Sequence, residues 1–349
     1  MSASLDPRAL ARSPAPAPRR GRRPSVPAGT VRNLVSVSGG KDSTATYLHA
    51  LECGETFEAV FADTGNEHPW TYDYVRSLAA RTGGPEVREV KRDLGPEIAR
   101  KRVYVADVWR AQGVPEDRVE RALAVLQPTG VPYLDMVLWK GRFPSSQRQF
   151  CTEELKIKPI CREVHAPLFS VGAEIVSWQG VRAEESPYRA SLPILQTVND
   201  LENNGRTYRV FRPLLDWAEA DVFSYHARFG IEPNPLYAAG MNRVGCMPCI
   251  NCGKLELREI ANRFPEHIDR IAEWERLAGE ASKRGRTTFF SYDKSPGPHL
   301  ADHSIPSPGV RAVVSWSRTS RGGRQFDLLG STPTLKDLAT ACDAWGACE

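Results

Sequence analysis

Long apolar runs are missing from this chain. None is long enough to cross a bilayer, and the N-terminus carries no apolar signal core. Both absences point to a cytoplasmic protein with no membrane partner. Cysteine is scarce, eight in 349 residues, which argues against a secreted disulfide scaffold. Net charge is small as well. The whole chain carries +4, yet residues 1–30 hold Arg8, Arg12, Arg19, Arg20, Arg22 and Arg23 against Asp6, or +5, leaving −1 for the rest. The body of the chain therefore offers no compositional case for nucleic-acid binding. Internal repeats are absent. Residues 1–30 also lack any apolar period, and their Pro, Ala, Ser and Arg content predicts a disordered basic tail, solvated or touching nucleic acid or an acidic partner.

What is present begins at Val31, where apolar runs alternate with helical spacing. Residues 34–37, 58–62 and 87–90 read as strands, and 44–52 and 70–81 as helices. A βαβαβ opening predicts an α/β fold with a parallel sheet and helices on both faces. Residues 94–150 interrupt the alternation with helices expected over 98–109 and 115–126, a helical insertion. A helix reaching 164 follows, then strands over 173–178 and 209–214, and a helix over 217–228 with Asp216 as candidate N-cap. A second region begins near Asn234, with helices over 254–264 and 265–277, a loop over 294–308 and a strand-like stretch over 312–317. The expected division is a tail over 1–30, a nucleotide-binding domain over 31–233 and a smaller cysteine-containing region over 234–349.

Between the first strand and the first helix lies Ser38-Gly39-Gly40-Lys41-Asp42-Ser43. Paired glycines let the backbone curl so that several N–H groups face one point. The helix N-terminus adds partial positive charge, Lys41 a full one, and Ser38 and Ser43 add hydroxyl donors. A phosphate or pyrophosphate fits such a cradle. The spacing is not that of a Walker A loop; an ordinary glycine turn is the alternative. Asp63-Thr64-Gly65 ends the second strand. Its carboxylate either holds Mg²⁺ or orders the ribose and phosphates, or Asp63 and Gly65 merely make the turn. Gly180-Val181-Arg182, with Glu185, Ser186 and Arg189, follows a later strand at the same expected edge, where ligands of open α/β sheets bind. Arg182 is a candidate for two-pronged phosphate or sulfate binding; a local ion pair with Glu185 is the alternative.

Cysteines cluster. Cys246, Cys249 and Cys252 form CxxCxxC, and Cys151 stands apart; together they supply the thiolates of a 4Fe-4S cluster or a structural zinc. A compact triplet with one remote ligand is more usual for iron–sulfur. Cys342 and Cys348 lie near the chain end, where a thiol is mobile and accessible, as a redox nucleophile or as tail thiols without a role.

These motifs together resemble the phosphoadenosine phosphosulfate (PAPS) reductase-like branch of the PP-loop ATP pyrophosphatase superfamily. The matching residues are 38–43, Asp63-Thr64-Gly65 with Glu67-His68-Pro69, Cys151 with Lys156 and Pro159, Gly180-Val181-Arg182 with Glu185-Ser186, and Asn234-Pro235-Leu236-Tyr237 leading to Gly245-Cys246-Met247-Pro248-Cys249. The resemblance implies a Rossmann-like sheet of the adenine nucleotide α-hydrolase type. It implies ATP or PAPS bound at Ser38, Gly39, Gly40, Lys41, Asp42, Ser43, Asp63, Gly180, Arg182, Glu185 and Ser186, with Mg²⁺ at Asp42 or Asp63 if the nucleotide is ATP. Lys41, Asp42, Lys156, Arg182 and Cys348 become the candidate catalytic residues. In pattern the chain is closest to the sulfur-handling component of DNA phosphorothioation systems, where ATP would be cleaved to AMP and pyrophosphate so that sulfur can replace an adenylated oxygen. A PAPS or adenylyl-sulfate reductase with Cys348 as nucleophile is the second reading; Cys151-Thr152 matches half of that group's Cys-Cys pair. A non-catalytic nucleotide- or nucleic-acid-binding protein with structural zinc is the third. Possible partners are a nucleic acid or a sulfur-donor protein.

Overall fold

The structure, a computed structural model, describes residues 31–198, 207–290 and 309–320. Six strands form one sheet in the order β3-β2-β1-β4-β6-β5. They are β1 Val31–Ser36, β2 Phe57–Asp63, β3 Val87–Lys91, β4 Glu174–Trp178, β5 Leu195–Val198 and β6 Tyr208–Phe211. All pairings are parallel except β5 with β6. The α/β class and the parallel sheet follow the expectation from the alternating pattern. β5 was not expected: its four residues, half-buried at the sheet edge, lack the apolar run that marks a central strand.

Chain order reverses at β1. Helix α1 (Lys41–Glu52) and helix α2 (Pro69–Thr82) carry the chain to β2 and β3 on one side of β1, while β4 is added on the other. A crevice opens between the carboxyl ends of strands at such a switch. Helix α1 is buried on two sides. Tyr47 and Ala50 pack with Val35, Val37 and Phe61 of the sheet, and Ala45 and Leu48 pack with Leu214, Val222 and Tyr225.

The opposite face of the sheet is covered by a continuous helix over 150–170, whose Val164, Ile160 and Leu168 meet Leu34, Val60 and Ile175. This helix widens twice into π turns, Glu153–Ile157 and Cys161–His165. Each wide turn contains the residue four before a proline: Leu155 before Pro159, and Glu163 before Pro167. A proline has no N–H for that carbonyl and its ring crowds it, and a wider turn relieves the crowding.

Three helices, α3 (Gly95–Tyr104), α4 (Glu116–Val125) and α5 (Pro132–Lys140), build the insertion. Its apolar residues are not capped by solvent. Ile98, Trp109, Val119 and Met136 share one core with Leu257, Ile271, Trp274 and Val313 of the C-terminal region.

Two local expectations are corrected. Residues 312–317 are not a strand but part of helix Val310–Ser317, which buries Val310, Val313, Val314 and Ser317 at helical spacing; a short run of valines reads the same by propensity in either state. The helix expected from 217 begins at Glu219, and its cap is Ala218, not Asp216; the Asp221 carboxylate accepts the Ala218 N–H at 2.9 Å. No helix among the described residues is long and apolar enough to cross a membrane.

Candidate active site

The loop over 38–43 closes on itself. Ser43 Oγ accepts the Ser38 N–H at 3.0 Å and lies 3.0 Å from Ser38 Oγ, which accepts the Gly40 N–H at 3.3 Å. Gly39 sits at φ +83°, and a Cβ there would lie 2.8 Å from Thr71 Cγ2. Only glycine meets both conditions. Residues that follow the last strand brace the loop from outside. Tyr237 Oη accepts the Lys41 N–H at 2.9 Å, Asn234 Nδ2 donates to the Gly39 carbonyl at 3.2 Å, and His226 Nε2 lies 2.8 Å from the Lys41 carbonyl.

Across the crevice, Gly180 presses on the same loop. A Cβ at Gly180 would stand 2.7 Å from the Asp42 carbonyl carbon and 2.9 Å from the Ser43 nitrogen. Two residues on, the Arg182 guanidinium reaches under the loop. Its Nε donates to Asp42 Oδ1 at 2.5 Å, and Nη1 pairs with Glu184. Asp42 is fully buried, and Oδ2 lies 3.1 Å from Lys41 Nζ, which also faces Glu219 at 3.5 Å. Burial works against the Arg182 charge, but Asp42 and Glu184 outweigh it and hold its pKa above the ordinary value. The Arg182 side chain pairs with Asp42 and Glu184, while Glu185 accepts the Arg182 N–H at 3.0 Å and pairs with Arg189. Ser186 Oγ accepts the Arg189 N–H at 3.1 Å. Glu185 and Ser186 thus shape the loop that carries Arg182.

The turn after β2 docks on the cysteine loop. Asp63 Oδ1 accepts the Gly65 N–H at 2.8 Å and the Tyr72 O–H at 2.7 Å, so Asp63 does make the turn. Glu67 is buried and accepts from the Thr64 hydroxyl at 2.7 Å, the Tyr72 hydroxyl at 3.0 Å and the Asn66 N–H at 3.2 Å. Glu67 pairs with Cys246 in an antiparallel bridge, and Thr64 Oγ1 lies 3.3 Å from Cys246 Sγ. Arg270 clamps the junction by donating to Asn66 Oδ1 and to the Met247 carbonyl, both at 2.8 Å.

Two cavities meet here. The larger is a cleft of about 90 Å³; it runs from Ser38, Ser43 and Gly180 down the sheet face under the 150–170 helix. The smaller is lined by Cys151, Cys246 and Cys249 with Lys156 and Arg243. Ser38, Lys156 and Gly245 line both. Burial and the nearby Cys249 push the Cys151 thiol up to about 11, with Lys156 opposing. Burial and Glu67 raise Cys246 also. Arg243 is held charged, burial being outweighed by Cys249, Glu256 and Cys246. The same cavity meets the buried Gln149 Oε1 and Tyr133 Oη, neither with a hydrogen-bond partner. Crowded thiols, two cations and the unpartnered Tyr133 hydroxyl, a donor, fit an anionic metal–thiolate group. Cys252 is buried and does not line the cavity.

Against known proteins, a family model described as the phosphoadenosine phosphosulfate reductase domain matches residues 32–252. The chain belongs to this family. An uncharacterized 37.8 kDa protein of Escherichia phage 186 is 44% identical over 329 residues, 91% of this chain and 96% of its own. An adenosine 5'-phosphosulfate reductase of Mesorhizobium japonicum is 26% identical over 218 residues, 62% of this chain and 65% of its own. A phosphoadenylyl-sulfate reductase structure from Candida auris covers 63% of this chain and 83% of that one, at 17% identity and a TM-score of 0.37. The narrower likeness to a DNA phosphorothioation component gains nothing from these relatives, since the phage protein has no assigned activity.

Within this family frame the motif residues divide. Ser38, Ser43 and Gly180 line the cleft; Lys41, Asp42 and Arg182 form an ion-paired base beneath it; Asp63, Glu185 and Ser186 build the flanking loops. Cys348 and Cys342 lie outside the described residues. Sequence reasoning missed Gln179, Cys161, His165 and Tyr208, all of which line the cleft. The i, i+4 spacing of Cys161 and His165 between two prolines was the available signal.

Proposed function

We propose that this PAPS reductase-family chain is an enzyme of sulfur transfer that spends ATP as AMP and pyrophosphate. The observation that carries the proposal is the shared wall of the two cavities: Lys156, Ser38 and Gly245 separate the place for a nucleotide from the place for thiolates. In this reading an acceptor oxygen attacks the α-phosphorus of ATP and pyrophosphate leaves; a sulfide-level sulfur nucleophile from a donor then attacks the activated centre, and AMP leaves with the acceptor oxygen. The hydroxyls of Ser38 and Ser43, the α1 N-terminus and Lys156 neutralise charge that grows on phosphate oxygens. Asp42 acts from below. It is buried and paired with two cations, so it positions Lys41 and Arg182; Asp63 is the other candidate for Mg²⁺, though its second oxygen faces Lys91 at 3.7 Å. Cys151, Cys246 and Cys249 would hold a 4Fe-4S cluster, with Cys252 as the remaining candidate ligand; structural zinc is the alternative. Such a cluster supplies a polarising or sulfur-handling centre beside the nucleotide.

Purified protein incubated with ATP should release pyrophosphate and AMP, and Lys41→Ala should abolish release. Cys151→Ser should remove the visible iron–sulfur absorbance of anaerobically reconstituted protein; a colourless protein that retains zinc overturns the cluster. The similarity to adenosine 5'-phosphosulfate reductases favours one second reading, reduction of a sulfonucleotide with Cys348 as nucleophile. Sulfite release from PAPS with a thiol donor, lost in Cys348→Ser and without pyrophosphate release from ATP, would establish it instead.

A further inference from the structure

Buried tyrosines elsewhere in this fold use their hydroxyls. Tyr47 donates to the Pro85 carbonyl at 2.7 Å, Tyr74 to the Glu232 carbonyl at 3.1 Å and Tyr225 to Glu52 at 2.6 Å. Tyr133 differs. It is 2% exposed, and its hydroxyl meets no partner among the described residues. A buried hydroxyl left unpaired is costly, and native folds leave few.

The ring is held where it is. It stacks on Trp274, with centroids 5.6 Å apart and planes 20° from parallel, and Phe289 stands 6.3 Å away on a tilted plane. The backbone is held as well. The Tyr133 N–H donates to the Thr64 carbonyl at 2.8 Å, and Val131 and Pro132 press on Gly65 so closely that a Cβ there would lie 2.9 Å from each. Thr64 Oγ1 in turn lies 3.3 Å from Cys246 Sγ. The turn after β2 thus fixes Tyr133 and Cys246 against one another.

The cavity that Tyr133 helps to line holds about 30 Å³. Cys151, Cys246 and Cys249 share it with Lys156 and Arg243, and no carboxylate lines it among the described residues. A water needs roughly 10–15 Å³ of such volume, so one could bridge Tyr133 Oη to Gln149 Oε1. A neutral water, however, adds no negative charge beside the two cations. Thiolate sulfur does, and it accepts from a phenol, which keeps its proton at neutral pH.

We propose that the Tyr133 hydroxyl donates to thiolate sulfur when Cys151, Cys246 and Cys249 hold a metal, which makes Tyr133 a positioning residue of that group. The proposal rests on the metal–thiolate reading of the cysteines. It adds to that reading a neutral donor that draws charge off the sulfur, steadies the thiolate form and favours the reduced state of an iron–sulfur cluster.

Tyr133→Phe keeps the stacked ring and removes only the hydroxyl. Metal-free full chain, wild type and variant, is titrated anaerobically with Co²⁺, whose thiolate charge-transfer band in the near ultraviolet reports bound sulfur. The variant should bind Co²⁺ about tenfold more weakly, as losses of such outer partners do. Its band should move to longer wavelength, because sulfur relieved of a hydrogen bond gives up charge more easily. Thermal unfolding of the metal-free variant should show no loss of Tm, since an unpaired hydroxyl has no bond to lose. An unmoved band overturns the proposal, whatever the affinity does. So does a loss of Tm as large in metal-free as in loaded protein, the result a bridging water gives. Wild-type protein that shows no thiolate band with Co²⁺ overturns the metal–thiolate reading and this assignment with it.

Discussion

Replacing Asp42 by Asn tests whether charge holds the loop over 38–43 from below. The carboxylate is wholly buried, with Oδ1 2.5 Å from Arg182 Nε and Oδ2 3.1 Å from Lys41 Nζ. Asparagine keeps the volume and removes the charge. Arg182, 4% exposed, then has Glu184, which stands half in solvent, and Lys41 keeps Glu219 at 3.5 Å. Breaking a buried pair from one side costs about 3–5 kcal/mol. The residual partners place the expected loss near the lower figure, about 3 kcal/mol, or a fall in Tm of roughly 4–5 °C for a chain of this size. The decisive arm adds Arg182→Met. If the cost of Asp42→Asn is an orphaned guanidinium, the double variant recovers much of it, with a coupling of about 2 kcal/mol. Thermal and urea unfolding of both singles and the double, run without metal or nucleotide, give that coupling. Strictly additive losses would show that the two side chains do not depend on one another, and the account of the loop's base would fail.

Other outcomes follow from the same geometry. Gly180→Ala sets a Cβ 2.7 Å from the Asp42 backbone, so the strand ends must part by about 0.7 Å to reach ordinary contact; a loss of about 1–3 kcal/mol is expected. Gly253→Ala, where a Cβ meets nothing within 4 Å, is the steric control and should cost no more than about 1 kcal/mol, the penalty of alanine at that helix N-cap. His165 and His267 are both held down to about 4, chiefly by burial. A group whose pKa is lowered on folding contributes stability that is present above its unfolded value, near 6.5, and is lost as pH falls toward 4. Tm of the metal-free protein should therefore drop across that window, and His165→Gln should flatten the drop; an unchanged acid limb counts against a buried neutral ring. A chain ended at Pro233 should lose cooperative unfolding and aggregate, because Ile98, Trp109 and Met136 lose Ile271, Trp274 and Val313 from their shared core; a soluble truncated chain with a sharp melt would contradict that core.

The central strands and the loop after β1 were legible because each rests on local chemistry. A buried parallel strand is a run of apolar residues, and a phosphate cradle needs glycines at fixed places. β5 was not legible, since an edge strand of half-buried residues has no run to read. Helix Val310–Ser317 was misread because eight residues rich in valine satisfy either period until packing decides. The site divides in the same way. Residue types announced that 38–43, 180–182 and the cysteines belong together. Which of them face the cleft depends on long-range contacts: Arg182 turns to Asp42, 140 positions away in sequence. Tyr237 meets Lys41 across 196 positions. No local pattern encodes such a meeting. Cys161 and His165 went unread because only the tertiary path of the 150–170 helix places them in a cavity.

The bridge between Glu67 and Cys246 makes the nucleotide turn and the thiol loop one mechanical unit, locked again by Thr64, Asn66 and Arg270. Linkage then imposes a symmetry. Whatever free energy a bound nucleotide exerts on the geometry of Cys246 is exerted back, in equal measure, on the nucleotide by whatever the thiols hold. The affinity of one site is thus a gauge of the state of the other. On the proposed reading, a protein without a group on these thiols would be a different nucleotide receptor from one that carries it.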